Sequence, residues 1–203
     1  MLDEINETMQ SQFNDNFYTK SELENMGFKK IGDNVLISRL ARFYGIKNIS
    51  IGSNVRIDDF AILSGNITLG NFIHISANSG ITGGSEGVEF GDFCGISSYS
   101  KIFSSTDDFN GGYLVGPCIP LKYRNVKQGR VTLKKHNHIG SHSLVLPNSY
   151  FEIGSTLGPM SLNMGRKFKQ WTYYFGNPAK KIYDINSNVI IYKERLLIKE
   201  YYG

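Results

Sequence analysis

The stretch Ile49-Ser50-Ile51-Gly52-Ser53-Asn54-Val55-Arg56-Ile57-Asp58-Asp59-Phe60-Ala61-Ile62-Leu63 carries the beat that decides the fold. A large aliphatic residue stands at Ile51 and returns at every sixth position, at Ile57, Leu63, Leu69, Ile75 and Ile81. The phase slips and resumes at Phe90, Ile96 and Ile102, then again at Leu133, Ile139 and Val145. A fainter run at Ile31, Ile37 and Phe43 precedes these blocks, and a late pair, Ile153 and Pro159, follows them. Four residues after each anchor the choice narrows to small or β-branched side chains: Val55, Ala61, Ile67, Ile73 and Ser79, then Cys94, Ser100 and Thr106, then Asn137, Ser143 and Ser149. Glycine follows the anchor at Gly52, Gly70, Gly91, Gly140 and Gly154. A period of six is neither the 3.6-residue helical repeat nor the two-residue alternation of a simple strand. It suits a parallel β-helix, in which a short strand, a tight corner and the next strand follow one another. The large residue fills the interior, the small one fits under the corner, and Gly, Asn or Asp supplies the turn. A β-sandwich is the competing arrangement, but its turns recur every ~8–12 residues.

The composition agrees with one folded domain. The chain has 203 residues, 40% of them hydrophobic and 20% charged, which sets it apart from disordered and membrane-embedded chains. Lys and Arg number 22 against 18 Asp and Glu, without a basic block of the kind that binds nucleic acid. Two cysteines, Cys94 and Cys118, are too few for a disulfide scaffold and fit a reducing compartment. No apolar run reaches the ~20 residues that span a bilayer. The acidic start Met1-Leu2-Asp3-Glu4 does not read as a signal peptide. A cytoplasmic location is therefore expected.

Outside the beat, residues 1–30 read as an N-terminal helical cap. Asp3 to Phe17 and Ser21 to Met26 form two short helical pieces, with Ser21 and Glu24 spaced as a capping box. The coils occupy 31–182. They are interrupted at 104–130 by an aperiodic, Asp-, Gly-, Pro- and Tyr-containing stretch that reads as a long extruded loop, and loops of that length are usually functional. The tail, 183–203, mixes aromatic and charged residues and fits helix or strand equally.

Three segments in this order and spacing, Ile139-Gly140-Ser141-His142-Ser143-Leu144-Val145-Leu146-Pro147, Leu157-Gly158 with Ser161-Leu162, and Gly176-Asn177-Pro178-Ala179-Lys180, together with the beat and the loop, resemble the hexapeptide-repeat acyltransferases. The resemblance covers about 31–182. Phe28 to Gly65 is similar to the branch that modifies bacterial surface sugars, with galactoside-type acetyltransferases as further relatives. It implies an all-β fold, a left-handed parallel β-helix, usually trimeric, that moves acetyl from acetyl-CoA to a sugar hydroxyl or amine at sites between subunits. Two departures stand out. The loop opening, Ile102-Phe103-Ser104-Ser105-Thr106-Asp107-Asp108-Phe109, lacks the histidine that galactoside-type members carry there. Leu157 to Arg166 holds Pro159, Met160, Asn163 and Met164 where small and Thr-Lys residues are usual.

Acyl transfer from a thioester needs a base for the acceptor's proton and donors for the oxyanion. The histidines are His74, His136, His138 and His142. Lys135-His136 matches the surface-sugar branch just after the loop, so His136 is the expected general base. Asp107 and Asp108 are expected to orient its ring or bind sugar hydroxyls, although paired Asp residues also initiate turns. Tyr113 and Tyr123 are candidates for stacking on the substrate. His136, His138 and His142 cannot converge on one metal within a coil, since His136 and His142 sit on successive corners more than ~15 Å apart, so no metal is expected. A metal site shared between subunits, as in β-helical carbonic anhydrases, stays open. The resemblance places the coenzyme on Ser141, Pro159, Ser161, Pro178, Ala179, Lys180 and Lys181, with Arg166, Lys167 and Lys169 nearby. Pro159 has no N–H to give. Cys94 reads as core.

The leading expectation is a sugar O-acetyltransferase of O-antigen or capsule assembly, working by direct transfer. An N-acetyltransferase of a nucleotide-linked amino sugar is the second. The first 30 residues are too short for a Rossmann-type nucleotide domain, which weighs toward the first. A non-enzymatic β-helix scaffold is the third.

Overall fold

The computed structural model of the protein describes Met9 and residues 16–202. From Lys30 the chain winds as a left-handed parallel β-helix of triangular section, three strands to a turn. Face 1 stacks Lys30–Ile31, Ile49–Ile51, 67–69, 88–90, Val131–Leu133, Tyr150–Phe151 and Lys167–Phe168. Face 2 stacks Val35–Ile37, Val55–Ile57, Ile73–Ile75, Gly95–Ile96, His138–Ile139, Thr156–Leu157 and Thr172–Phe175. Face 3 stacks Arg42–Tyr44, 62–64, 80–82, Lys101–Phe103, Leu144–Val145 and Leu162–Asn163. Strands Ile62–Leu69 and Gly80–Phe90 run round the corner from face 3 to face 1 without a break, which joins those two faces into one sheet.

The six-residue anchors point inward and stack in register. On face 2, Ile37, Ile57, Ile75, Ile96, Ile139 and Leu157 form one continuous buried column. Each such side chain contributes about 1.5–3 kcal/mol by leaving water. The fourth positions are buried beneath the corners, from Val55 and Ala61 to Asn137, Ser143 and Ser149. Thr106 is the exception, because the chain leaves the coil after Ser104. The late pair is also out of phase. Ile153 and Pro159 lie exposed at corners, and the interior continues through Phe151 and Leu157, six residues apart from Val145 onward, to Asn163 and then Phe168.

Corner geometry demands left-handed backbone, and much of it is supplied by aromatic residues rather than glycine. Between faces 1 and 2 the positive-φ positions are Asn34, Asn54, Phe72, Phe93, His136, Gly154 and Trp171. Such a conformation costs roughly 1–2 kcal/mol for a residue with a Cβ. Stacking offsets it: Phe72 lies 4.7 Å from Phe93, Phe93 lies 5.2 Å from His136, and His136 lies 5.7 Å from Trp171. A second ladder, between faces 2 and 3, pairs Tyr99 with His142 at 4.9 Å.

The N-terminal helix spans Lys20–Asn25, and its capping box is Thr19 with Glu22, not Ser21 with Glu24. The Thr19 hydroxyl accepts from the Glu22 N–H, and the Glu22 carboxylate accepts from the Thr19 N–H. Hydrogen bonds from Arg39, then from Thr19, hold that carboxyl down at about 2. The expected piece from Asp3 to Phe17 falls almost wholly outside the described residues; Phe17 itself bridges antiparallel to Ser38.

Residues 104–130 leave the prism at the corner from face 3 to face 1. Ser105–Asp107 pairs antiparallel with Val126–Gln128 at the base of this excursion. The tail resolves into both elements. Lys180–Asp184 pairs antiparallel with Thr172–Phe175, and Asn188–Tyr202 is a helix. Among the described residues no helix is long and apolar enough to cross a membrane.

Candidate active site

The coenzyme residues expected from sequence fall on one edge of the prism, the corner from face 2 to face 3 over its last three turns. The Met160 N–H donates to the Ser141 carbonyl at 2.8 Å, and the Ser161 N–H donates to the Ser143 hydroxyl at 3.1 Å. The Gly176 N–H donates to the Ser161 hydroxyl at 2.9 Å, and the Ala179 N–H donates to the Leu162 carbonyl at 2.8 Å. The Ser161 hydroxyl is therefore already committed, since it also donates to the Pro159 carbonyl. Pro159 and Pro178 lie exposed on this edge, the latter after a cis peptide, while Ala179 is buried. Lys180 and Lys181 are exposed, with Lys181 bonded to Asp184.

In the preceding coils, a cleft of about 780 Å³ opens on face 2. Ser76 and Ser97 mark its side on the edge that carries Ser141 and Pro159. His74 and His138 stand on its floor, and the aromatic corner with Phe72, Phe93 and His136 bounds its other side. Leu197 and Tyr201 reach it from the C-terminal helix. That volume suits a ligand larger than a hexose.

His136 sits in the aromatic ladder with 8% of its side chain exposed, and its Nε2 lies 2.8 Å from Glu194 of the C-terminal helix. Lys135 bonds to the same carboxylate. Burial acts to raise Glu194, but the hydrogen bonds from Lys135 and His136 outweigh it and leave the carboxyl below its ordinary value. The Nε2 partner of His136 is thus Glu194, not the expected Asp107 or Asp108. Those two aspartates stand at the base of the loop, one full face away. Asp107 accepts from Arg124 at 2.8 Å and from the Gly116 N–H at 3.2 Å. Asp108 pairs with Lys127 at 2.9 Å and accepts from Asn125 at 3.0 Å. The paired aspartates therefore do fasten the loop, as the turn reading allowed. Tyr113 and Tyr123 are exposed on the excursion, and Lys122 lies 4.8 Å from the Tyr123 ring. A single protomer does not bring the loop residues to the cleft.

His138 projects outward on face 2. Burial, and then repulsion from His136, hold it below its ordinary value, although part of its surface reaches solvent. Cys94 lies beneath the cleft, where burial pushes the thiol up to about 12, so it is no nucleophile at neutral pH. Among the described residues no group of three or more His, Cys, Asp or Glu could hold a metal ion.

No family model matches the chain. An Escherichia coli dTDP-4-amino-4,6-dideoxy-D-glucose acyltransferase is 42% identical over 164 residues, which is 79% of this chain and 84% of that protein. The chain belongs to the hexapeptide-repeat sugar acyltransferases. Within that family the structure is similar to AntD, an N-acyltransferase from Bacillus cereus. In complex with dTDP and 3-hydroxybutyryl-CoA, AntD superposes with a TM-score of 0.89 at 42% identity, over 92% of this acyltransferase and 99% of AntD. The complex of an AntD serine variant with dTDP-4-amino-4,6-dideoxyglucose and coenzyme A matches with the same score and identity. A hexapeptide-repeat acetyltransferase of Vibrio cholerae bound to acetyl coenzyme A shares the fold alone, at 11% identity and a TM-score of 0.56.

Sequence reasoning missed the cleft floor. His74 stands in no motif, and only the coil register brings it beside Ser97 and His138.

Proposed function

We propose that this acyltransferase moves an acyl group from an acyl-CoA to the amine of a dTDP-linked 4-amino-6-deoxyhexose. The observation that carries this reading is the 42% identity, over most of both chains, to two proteins that act on or bind such a sugar. Nitrogen thereby displaces the sugar oxygen as the favoured acceptor. The lack of a Rossmann-type domain does not weigh against a nucleotide, because this chain covers the whole of the AntD chain that holds dTDP-4-amino-4,6-dideoxyglucose.

In this reading the pantetheine arm runs down the edge marked by Pro178, Pro159 and Ser141 toward Ser97, using backbone groups because the Ser161 hydroxyl is occupied. Lys180 and Lys181 meet the coenzyme phosphates. The sugar enters the face 2 cleft. Asp107 and Asp108, with Tyr113 and Tyr123, serve the cleft of a neighbouring copy in a homotrimer, which accounts for the apolar exposure of Phe109, Leu114 and Leu121 on the loop. AntD variants at an aspartate and at a serine, ten positions apart, have been crystallised with dTDP and coenzyme A or with the amino sugar and coenzyme A. Ser97 and Asp107 have that same spacing here. A protomer-sized mass in light scattering would remove the trimeric part of the reading.

The test is turnover. With acetyl-CoA, the dTDP-4-amino sugar should yield the amide and free CoA, and the matching 4-hydroxy sugar should be poorer by about 10²-fold or more. In the same assay Lys180→Ala combined with Lys181→Ala is expected to raise the KM for acetyl-CoA by about tenfold with little change in kcat. Transfer to the hydroxyl with the amine untouched would overturn the reading.

A further inference from the structure

We infer that His74, held in place by Asp58, is the group that takes the proton from the acceptor nitrogen. The inference rests on the reading of the cleft given above and adds a residue to it.

Three observations converge on His74. The first is placement. Registers along face 2 align Leu36, Arg56, His74, Gly95, His138, Thr156 and Tyr173 as its outward column. Gly95 alone in that column has no side chain, so a recess lies between His74 and His138, two strand spacings of about 4.8 Å apart. The recess is narrow: a Cβ at residue 95 would come to 3.2 Å from His138 Nδ1. Ser76 and Ser97, on the coenzyme edge, line the same cleft.

The second is the hold on the ring. His74 Nε2 lies 2.8 Å from one carboxylate oxygen of Asp58, and the other oxygen accepts from Arg56 Nε at 2.7 Å. The Asp58 side chain is only 15% exposed, and that of His74 is 52% exposed. Burial acts to raise Asp58, but the hydrogen bonds from His74 and Arg56 prevail and keep it ionised. An ionised carboxylate at Nε2 keeps the proton there and leaves Nδ1 with its lone pair, as a base requires. One side of the ring is anchored, and the other is open to a ligand.

The third is elimination. His136 is sandwiched between Phe93 and Trp171 and bonded to Glu194, which leaves its ring little contact with a ligand. Burial weakens His138 as a base. The charged or titratable groups around the cleft are Arg56, Asp58, Cys94, His136, His138 and, from the C-terminal helix, Tyr201.

The neutral amine attacks the thioester carbonyl carbon, the C–N bond forms, and the carbonyl electron pair moves onto oxygen. His74 Nδ1 takes the N–H proton. The oxyanion collapses, the C–S bond breaks, and coenzyme A departs as the thiolate, which receives the proton back from the imidazolium.

Turnover of the dTDP-4-amino sugar with acetyl-CoA, followed by thiol release, tests this in the full chain. His74→Ala is expected to lower kcat by about 10²-fold or more with KM values little changed. Added imidazole should restore turnover, and the acid limb of the kcat/KM profile should vanish. Asp58→Asn should shift that limb while retaining part of the rate. Thermal melts followed by circular dichroism confirm that each variant is folded. His74→Ala turning over within a few-fold of wild type would overturn the inference. So would a loss that imidazole does not rescue and that leaves the acid limb in place. Active wild type with active His74→Ala sinks this assignment alone, whereas wild type inactive on every dTDP-amino sugar sinks the substrate reading and this one with it.

Discussion

Free 4-amino-4,6-dideoxyglucose, stripped of its nucleotide, is expected to be acylated at least about 10³-fold less efficiently than the dTDP-linked sugar. A lone hexose would occupy a small part of the 780 Å³ cleft, and Arg56, with Phe72 and Phe93, would be left without a ligand. In the proposed function, binding energy from the distant nucleotide holds the amine against the thioester, so its removal should depress kcat as well as raise KM. A 10³-fold loss corresponds to about 4 kcal/mol. The measurement is kcat/KM for the two acceptors at fixed acetyl-CoA. Equal values would show that the nucleotide is not recognised. A loss confined to KM would place the nucleotide in uniform binding rather than in positioning.

Replacement of Phe151 by Ala is expected to cost about 3–5 kcal/mol of stability. Phe151 is fully buried at the anchor position of face 1, and its ring meets Phe168 edge-on at 4.9 Å. Phe168 stacks in turn on Tyr174 at 3.7 Å, whose hydroxyl accepts from the Lys169 N–H. These three rings fill the interior of the last turns, where the chain has no further coil to add packing. Because each turn leans only on its neighbours, the loss should spread to the edge built from 158–161 and 176–179. Urea unfolding followed by circular dichroism should show a lowered midpoint, with the m-value reporting whether the last turns unfold separately. A change below about 1 kcal/mol would mean that the rings do not couple.

The core was legible because the coil repeats its demand. Ile57, Ile75, Ile96 and Ile139 answer one geometric requirement four times, and a repeated requirement leaves a period. The end of the repeat was harder to place. Ile153 looked like an anchor, but the phase ran through Phe151 and Leu157, where a shorter corner before Phe168 disguised it. The capping box was read two residues late because Thr19 and Ser21 both precede a Glu at the third position, and only the Arg39 side chain, bonded to Glu22, decides between them. The residues expected to hold the coenzyme gather on one edge because the coil register stacks Ser141, Pro159 and Ser161 there. His74 carries no local signal, since its setting comes from Asp58 one coil earlier and from Gly95 one coil later, a pairing that no local window contains. His136 stood out by its neighbour Lys135, but in the fold that neighbour shares Glu194 with it and both fasten a helix. The tail resisted because Ile, Val and Tyr suit strand and helix alike, and the chain uses both.

The strand Lys180–Asp184 runs against the direction of every rung on which face 2 is built. A parallel stack is open-ended by nature, since each rung offers the next the same hydrogen-bonding edge, and two molecules meeting end to end could extend one another into a filament. Reversing the final strand, and studding it with Lys180, Lys181 and Asp184, presents an incoming rung with the wrong polarity and with charge. At that end, face 2 of the solenoid thus carries its own stop signal against polymerisation.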